Sequence, residues 1–280
     1  MNAPEAPRSI LAVRSGRPGL PHEFRRHLSN APIACLLTDF DGTLAPHRVQ
    51  REEARPSLEV LAHLAAIQGA PRSRIVIVTG REAETAARLL SPFHPDEIWG
   101  VHGLEHHRRN GERTHKEVGR AHQAGLRRAG SALEALGLGS RLEWKHGALA
   151  LHWRGLDDTE VRQMRLQAEP ILRRHARETP LLYMPFDGGI ELRAPGPQKG
   201  GVVREVVSRL PLGSVVACLG DDSSDEDAFQ ALRGLTKPIH RLGLLVRPCW
   251  RPTAADVWIR PPGELLAFLQ DWSRALREIP

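Results

Sequence analysis

Ile33-Ala34-Cys35-Leu36-Leu37-Thr38-Asp39-Phe40-Asp41-Gly42-Thr43-Leu44 runs from a short apolar segment straight into two carboxylates and a glycine. The apolar part reads as a buried parallel strand. Asp39 and Asp41, spaced i, i+2, leave its carboxyl end on the same face. That end is where open α/β sheets place their ligands. Gly42 permits a tight turn, and Thr43 adds a hydroxyl. Two acids with two tasks, one attacking and one moving a proton, suit phosphoryl transfer through an aspartyl-phosphate. Read alone, the same residues also describe a strand that ends in a plain acidic turn.

Three further segments bear on that choice. Arg74-Ile75-Val76-Ile77-Val78 is a β-branched run that ends in Thr79-Gly80-Arg81, with a helical pattern from Glu82 to Leu90. A hydroxyl at a strand end beside a helix's unpaired N–H groups suits a phosphate oxygen. Lys199 follows Pro197 in the first turn of a helix patterned from Lys199 to Leu210, where an ammonium can neutralise a phosphoryl group. Ser214-Val215-Val216-Ala217-Cys218-Leu219 is another apolar strand and runs into Gly220-Asp221-Asp222-Ser223-Ser224-Asp225-Glu226-Asp227. So many acids at one strand end call for a cation, and magnesium takes carboxylate oxygens. Helix capping by a Ser223/Glu226 box accounts for Glu226 and Asp227 but not for Asp221 and Asp222, which precede it.

Composition narrows the function classes. The chain has 280 residues, enough for one large or two modest domains. Mean hydropathy is −0.35, and no apolar run approaches the roughly 18–20 residues that cross a bilayer. Residues 1–30 read as a lead-in without the apolar centre of a secretory signal, with a helical segment near Glu23 to Leu28. Cys35 and Cys218 fall within core strands, so reduced thiols and a cytoplasmic location are expected. The net charge is +6, but lysine stands only at 116, 145, 199 and 237, and arginine is spread over every segment. With a single Tyr and no basic stripe interleaved with aromatics, no nucleic-acid partner is expected. A positive field still favours a phosphorylated small molecule. His106-His107 reads as surface rather than as a zinc site.

Strands and helices alternate over residues 31–108 and again from 195 to 280, the pattern of a Rossmann-like parallel α/β core. Between them, over 109–194, the pattern changes to an inserted α+β segment. Helices are expected over Arg120–Leu136 and Thr159–Arg177. Strands are expected over Arg141–Lys145, Ala148–Arg154, Leu181–Met184 and Gly189–Arg193. Period-two alternation puts Leu142, Trp144, Leu149, Leu151, Trp153, Ile190 and Leu192 on one face, under the helices. Glu143, Lys145, His152, Arg154, Glu191 and Arg193 fall on the other. That polar face is either an ordinary solvated surface or, lying between two catalytic segments, the underside of a lid that grips a sugar.

The order Asp-Phe-Asp-Gly-Thr-Leu-Ala-Pro, Thr-Gly-Arg, Gly100-Val101-His102-Gly103-Leu104-Glu105, Glu143-Trp144-Lys145, His152-Trp153-Arg154, Glu191-Leu192-Arg193, Lys199-Gly200 and Leu219-Gly220-Asp221-Asp222 through Asp225-Glu226 resembles the trehalose-6-phosphate phosphatases of the haloacid dehalogenase superfamily. The resemblance spans roughly residues 31 to 270. It departs at His106-His107 and at Ala194, where the family more often has a polar or Gly continuation and a Pro.

The resemblance implies a haloacid dehalogenase core with an inserted C2-type cap. Asp39 would attack phosphorus; Asp41 would protonate the leaving sugar oxygen and then activate water. Thr79 and Lys199 would hold phosphoryl oxygens. Magnesium would lie between Asp39, the Asp41 carbonyl and Asp221, with Asp225 in support. Glu143, Lys145 and Glu191, with His152 and Arg154, would grip the sugar. Gly42, Thr43, Gly80, Arg81 and His102 complete the expected substrate site. Other glycosyl phosphates, such as mannosyl-phosphoglycerate or sucrose phosphate, and a non-catalytic sugar-phosphate or nucleic-acid binder remain the alternatives.

Overall fold

The computed structural model describes residues 20–278. In chain order the elements are α1 (His22–Asn30), β1 (Ala34–Thr38), α2 (Leu58–Gln68), β2 (Ser73–Val78), α3 (Ala83–Leu90), β3 (Glu97–Gly100), β4 (Glu105–Arg108) and β5 (Arg113–His115). Next come α4 (Arg120–Glu134), β6 (Leu142–Lys145), β7 (Ala148–His152), α5 (Asp158–Glu178), β8 (Leu182–Phe186) and β9 (Gly189–Arg193). The chain continues with α6 (Lys199–Ser208), β10 (Val215–Gly220), α7 (Glu226–Arg233), β11 (His240–Val246), β12 (Val257–Ile259) and α8 (Gly263–Ala275).

Two sheets result. One has eight strands in the order β12-β11-β10-β1-β2-β3-β4-β5; it is parallel from β12 to β3, and β4 and β5 are antiparallel. β1 sits near its middle, and every residue of β1 is buried. Its alternating side chains feed two cores. Ala34 and Leu36 pack with Leu64, Ile67, Phe268 and Trp272 from α2 and α8. Cys35 and Leu37 pack with Val202, Val206 and Phe229 from α6 and α7. A strand covered on both faces needs the unbroken apolar run that the sequence has there. Truncating Leu36 or Leu37 to alanine costs about 2–5 kcal/mol. Among the described residues no helix is long and apolar enough to cross a membrane. Cys35 and Cys218 are buried, Cys249 is exposed, and all are free thiols.

The second sheet, β6-β7-β9-β8, is antiparallel. α4 and α5 cover one face with a core of its own, including Leu126, Leu133, Leu149, Leu151, Leu172, Ile190 and Leu192. α5 begins at a capping box, in which Asp157 and Glu160 bond each other's backbone N–H groups. Trp144 closes the edge of this layer. A Cβ on Gly130 of α4 would lie 2.2 Å from its ring, so a larger residue there would push the indole aside.

Several expectations need correction. The hairpin β4–β5 belongs to the large sheet, so a boundary at 109 falls inside that sheet and the insert proper runs from α4 to β9. The helix near Glu23 to Leu28 is α1, docked by Phe24 and Leu28 against α8; the remainder of the expected lead-in, residues 1–19, lies outside the described residues. His106 is buried, not superficial. It stacks on Trp99 at 3.7 Å and pairs with Glu97 at 2.8 Å, because the β3–β4 register sets Trp99 opposite His106.

Candidate active site

β1 and β10 end side by side and project their acids into one cleft. The Asp39 N–H donates to the Leu219 carbonyl at 2.9 Å, which continues the parallel ladder to the point where both strands turn. Gly42 then turns the chain at φ +78°, its N–H donating to the Ala45 carbonyl at 2.7 Å. The space is as restrictive as the dihedral, since a Cβ there would lie 2.1 Å from the Asp221 Oδ2 and 2.6 Å from the His47 ring.

Lys199, the first residue of α6, sits between two acids, its Nζ 2.9 Å from the Asp39 Oδ1 and 2.7 Å from the Asp225 Oδ1. Burial works against its charge, yet Asp225 and Asp39 outweigh burial and raise its pKa. Asp225 Oδ2 also accepts from the N–H groups of Asp221 and Asp222, at 3.1 and 3.0 Å. Asp225 therefore shapes the loop and holds the lysine. The capping box here is Asp222 with Asp225, not Ser223 with Glu226. Glu226 instead bonds Arg251, Thr253 and the Ala254 N–H, while Asp227 accepts from the Gly200 N–H.

Asp221 differs from its neighbours. Its Oδ2 lies 3.0 Å from the His47 Nε2, but its Oδ1 is buried with no hydrogen-bond partner. Burial, aggravated by Asp225, raises its pKa. Burial also raises that of Asp39 well above the carboxylate range despite Lys199. Oxygens of Asp39, Asp221 and Asp225 all come within 4.8 Å of one another. Three buried carboxylates facing one ammonium, with a carboxylate oxygen left bare, match a hard divalent cation bound through oxygen. The donor set fits magnesium.

Asp41 is held elsewhere. Arg81 takes both of its oxygens, at 2.7 and 2.6 Å, while lying over the Phe40 ring. Thr79 is fully buried and its hydroxyl accepts from the Arg81 N–H at 3.1 Å, which fixes the Thr-Gly-Arg turn beside the cleft residues Gly80 and Arg81. Thr43 is likewise buried, its hydroxyl without a partner.

The polar face of the insert forms the opposite wall. Glu143, Lys145, His152, Arg154, Glu191 and Arg193 line the same cleft as Asp39, Asp41, Gly80, Arg81, His102, Lys199 and Asp221. An ordinary solvated face is thereby excluded. The register explains how charges pack so densely. Ala150 lies between Glu143 and Glu191, and Ala148 between Lys145 and Arg193. Their small side chains let Lys145 reach Glu191 at 2.7 Å and Glu143 at 3.3 Å. Lys145 also donates to the Gly80 carbonyl of the core at 2.9 Å.

Burial opposes the charge on Glu143, but Lys145, His152 and Arg51 prevail and hold its pKa at about 2. Glu191 is held lower still, against burial, by Lys145 and His102. Burial pushes the His102 imidazole down to about 4. His102 takes a left-handed φ of 54° and packs on Gly80, where a Cβ would be 2.7 Å from its Nε2.

The structure adds cleft residues that no motif marked: His47, Arg48, Arg51, Met184 and Phe186; Arg193, from the Glu191-Leu192-Arg193 run, lines the cleft with them. Arg193 and Met184 belonged to expected strands, and their face was readable from the alternation. His47, Arg48 and Arg51 lie in the irregular segment after β1, where no period exists.

A family model described as trehalose-phosphatase matches residues 37–256. A trehalose-phosphatase of Schizosaccharomyces pombe is 26% identical over 216 residues, which cover 75% of this chain and 26% of that protein. The chain spans about a quarter of the length of the curated relatives it matches. The trehalose-6-phosphate phosphatase C-terminal domain of C. albicans superposes with a TM-score of 0.76 at 22% identity, covering 90% of this chain and 96% of that one. A haloacid dehalogenase-like hydrolase from B. subtilis shares the fold, with a TM-score of 0.55 at 14% identity over 89% of this chain and 100% of that one.

Proposed function

Because this chain belongs to the trehalose-phosphatase family, we propose that it hydrolyses trehalose 6-phosphate to trehalose and phosphate, with magnesium, through an aspartyl-phosphate on Asp39. The observation that carries this reading is a single cleft with the Asp39/Asp41 pair on one wall and Glu143, Lys145 and Glu191 on the other.

Asp39 attacks phosphorus as the ester P–O bond breaks, and Asp41 gives a proton to the departing sugar oxygen. Asp41 must first leave Arg81, whose two N–H groups occupy both of its oxygens. Asp41 then takes a proton from water, which attacks the acyl phosphate and frees Asp39. Lys199 offsets charge on the phosphoryl oxygens throughout. Asp39, Asp221 and the Asp41 carbonyl would hold magnesium, with Asp225 in support through Lys199 and the loop N–H groups. A bound magnesium ion supplies Lewis-acid stabilisation of the phosphoryl oxygens. Glu143, Lys145 and Glu191 meet sugar hydroxyls, and closure of the insert excludes bulk water. The buried thiols Cys35 and Cys218 suit a reducing cytoplasm.

Phosphate release across a panel of sugar phosphates with magnesium tests the reading. Trehalose 6-phosphate should give the highest kcat/KM. Preference for mannosyl-phosphoglycerate or sucrose phosphate would correct the sugar and keep the chemistry. No release from any ester, with salt-dependent binding to DNA, would overturn both.

A further inference from the structure

Arg51 lies in the core, in a short 3-10 turn that follows the segment bearing Asp39 and Asp41. Its guanidinium crosses the cleft and grips the insert. Nη2 donates to the Glu143 Oε1, Nη1 pairs with the Glu143 Oε2, and Nη1 also lies 2.6 Å from the His152 Nε2. This is a two-pronged arginine–carboxylate pair, the geometry that fixes a carboxylate's plane as well as its charge. Glu143 is further flanked by His152 at 2.9 Å and Lys145 at 3.3 Å.

The His152 contact constrains the imidazole. A guanidinium has only donors and a carboxylate only acceptors, so Nε2 can accept from Arg51 or donate to Glu143, but not both. Either way Arg51 and Glu143 hold the ring in place. An ionised carboxylate offers about four lone-pair sites, so Glu143 keeps acceptor capacity for a hydroxyl after Arg51 and Lys145 have taken theirs. Elsewhere the core meets this wall through the Gly80 carbonyl on Lys145, His102 facing Glu191 at 3.4 Å, and Asp222 on the Asp187 N–H at 3.1 Å. Among the described residues only Arg51 joins the segment after Asp39 and Asp41 to Glu143.

We infer that Arg51 is a positioning residue for substrate recognition: from the core it aims Glu143 at the sugar. The inference rests on the reading of the cleft as a sugar-phosphate site, and its test separates the two. Preorganisation of a binding carboxylate acts on substrates that use it and spares those that do not.

The test is a double-mutant cycle of Arg51→Met and Glu143→Gln, measured with trehalose 6-phosphate and with p-nitrophenyl phosphate. Each single variant should lower kcat/KM on the sugar phosphate roughly tenfold to a hundredfold, chiefly through KM. The double variant should be little worse than the worse single one, because the two side chains act as a unit. Losses on the aryl ester should be far smaller. Arg51→Lys, which keeps the charge but not the fork, should fall between wild type and Arg51→Met, and its thermal melting keeps the comparison valid should Arg51→Met fold poorly.

Strictly additive losses, or equal losses on both esters, would overturn the inference. A wild type that prefers another glycosyl phosphate overturns the trehalose reading alone, and the cycle is then judged on that ester by the same criterion. A wild type that turns over no glycosyl phosphate overturns both.

Discussion

The two walls of the cleft both bury charge, and they do so in opposite ways. On the core wall Asp39, Asp221 and Asp225 face a single ammonium, the pKa values of Asp39 and Asp221 are raised by burial, and an Asp221 oxygen has no partner. On the insert wall Glu143 and Glu191 are matched by Lys145, Arg51 and Arg193, and their pKa values are lowered. A wall that cannot balance itself calls for a cation from outside. A wall whose carboxylates are all paired with cations offers directional donors and acceptors, which is what a neutral polyol needs. On the proposed function the contrast divides chemistry from selectivity.

Breaking the core wall should give the largest effect. Asp39→Asn should reduce turnover on every ester by on the order of a thousandfold or more, since an amide is a poor nucleophile and the other members of the site cannot replace it. Initial-rate assays on protein shown to be folded by circular dichroism would settle it, and a few per cent of residual activity would refute the nucleophile assignment. Next comes the cation. Chelation should abolish activity on all esters, magnesium should restore it, and Asp221→Ala should lose both rate and metal response. Titration calorimetry with magnesium gives a readout independent of turnover. Calcium should restore less, because its looser shell holds the phosphate poorly for in-line attack.

The insert wall should break more gently and only for sugars. Glu143→Ala, Lys145→Ala and Glu191→Ala should each cut kcat/KM for trehalose 6-phosphate by about tenfold to a hundredfold, corresponding to about 1.5–3 kcal/mol per lost charged hydrogen bond. The losses on a small aryl phosphate should be far smaller. Equal losses on both substrates would mean that these residues only hold structure.

The smallest expected effect is on pH-dependent stability. Its partners hold the Glu143 carboxyl at about 2, against 4.5 for an ordinary glutamate. A depressed carboxylate contributes stability that is present above about 4.5 and fades as pH falls toward 2. The stability gap between wild type and Glu143→Gln, from urea unfolding, should therefore shrink over that window. A gap that stays constant there would show that the pairing adds nothing to the fold.

What could be read before folding follows the same division. Asp39 and Asp41 were legible because an unbroken apolar strand and a pair of carboxylates spaced i, i+2 coincide in one run. Glu143, Lys145 and Glu191 were legible because strands alternate with period two, whatever they later pack against. Arg51 and His47 were not, since their partners lie 92 and 174 positions away and the loop that carries them has no period. The capping box falls one residue before the Ser223/Glu226 pair and caps the short 3-10 turn ahead of α7: Asp222 and Ser223 are both good caps, and Asp225 decides between them by taking the Asp221 and Asp222 N–H groups. The burial of His106 depended on a cross-strand partner, Trp99, that becomes its neighbour only once the hairpin register is set.

The pairing of β1 with β10 has a consequence in time. Ala34 to Thr38 lie against Val215 to Leu219, with the insert and its separate core strung between them. Contacts so distant along the chain close slowly, because the intervening loop must lose its freedom before the pairing rewards it. Domains that fold as units shorten that loop once formed. An insert that condensed before the core would shorten that loop and bring Asp39 within reach of Asp221. A lesion in its apolar core, such as Leu149→Ala, should delay the appearance of activity during refolding more than it slows the mature protein.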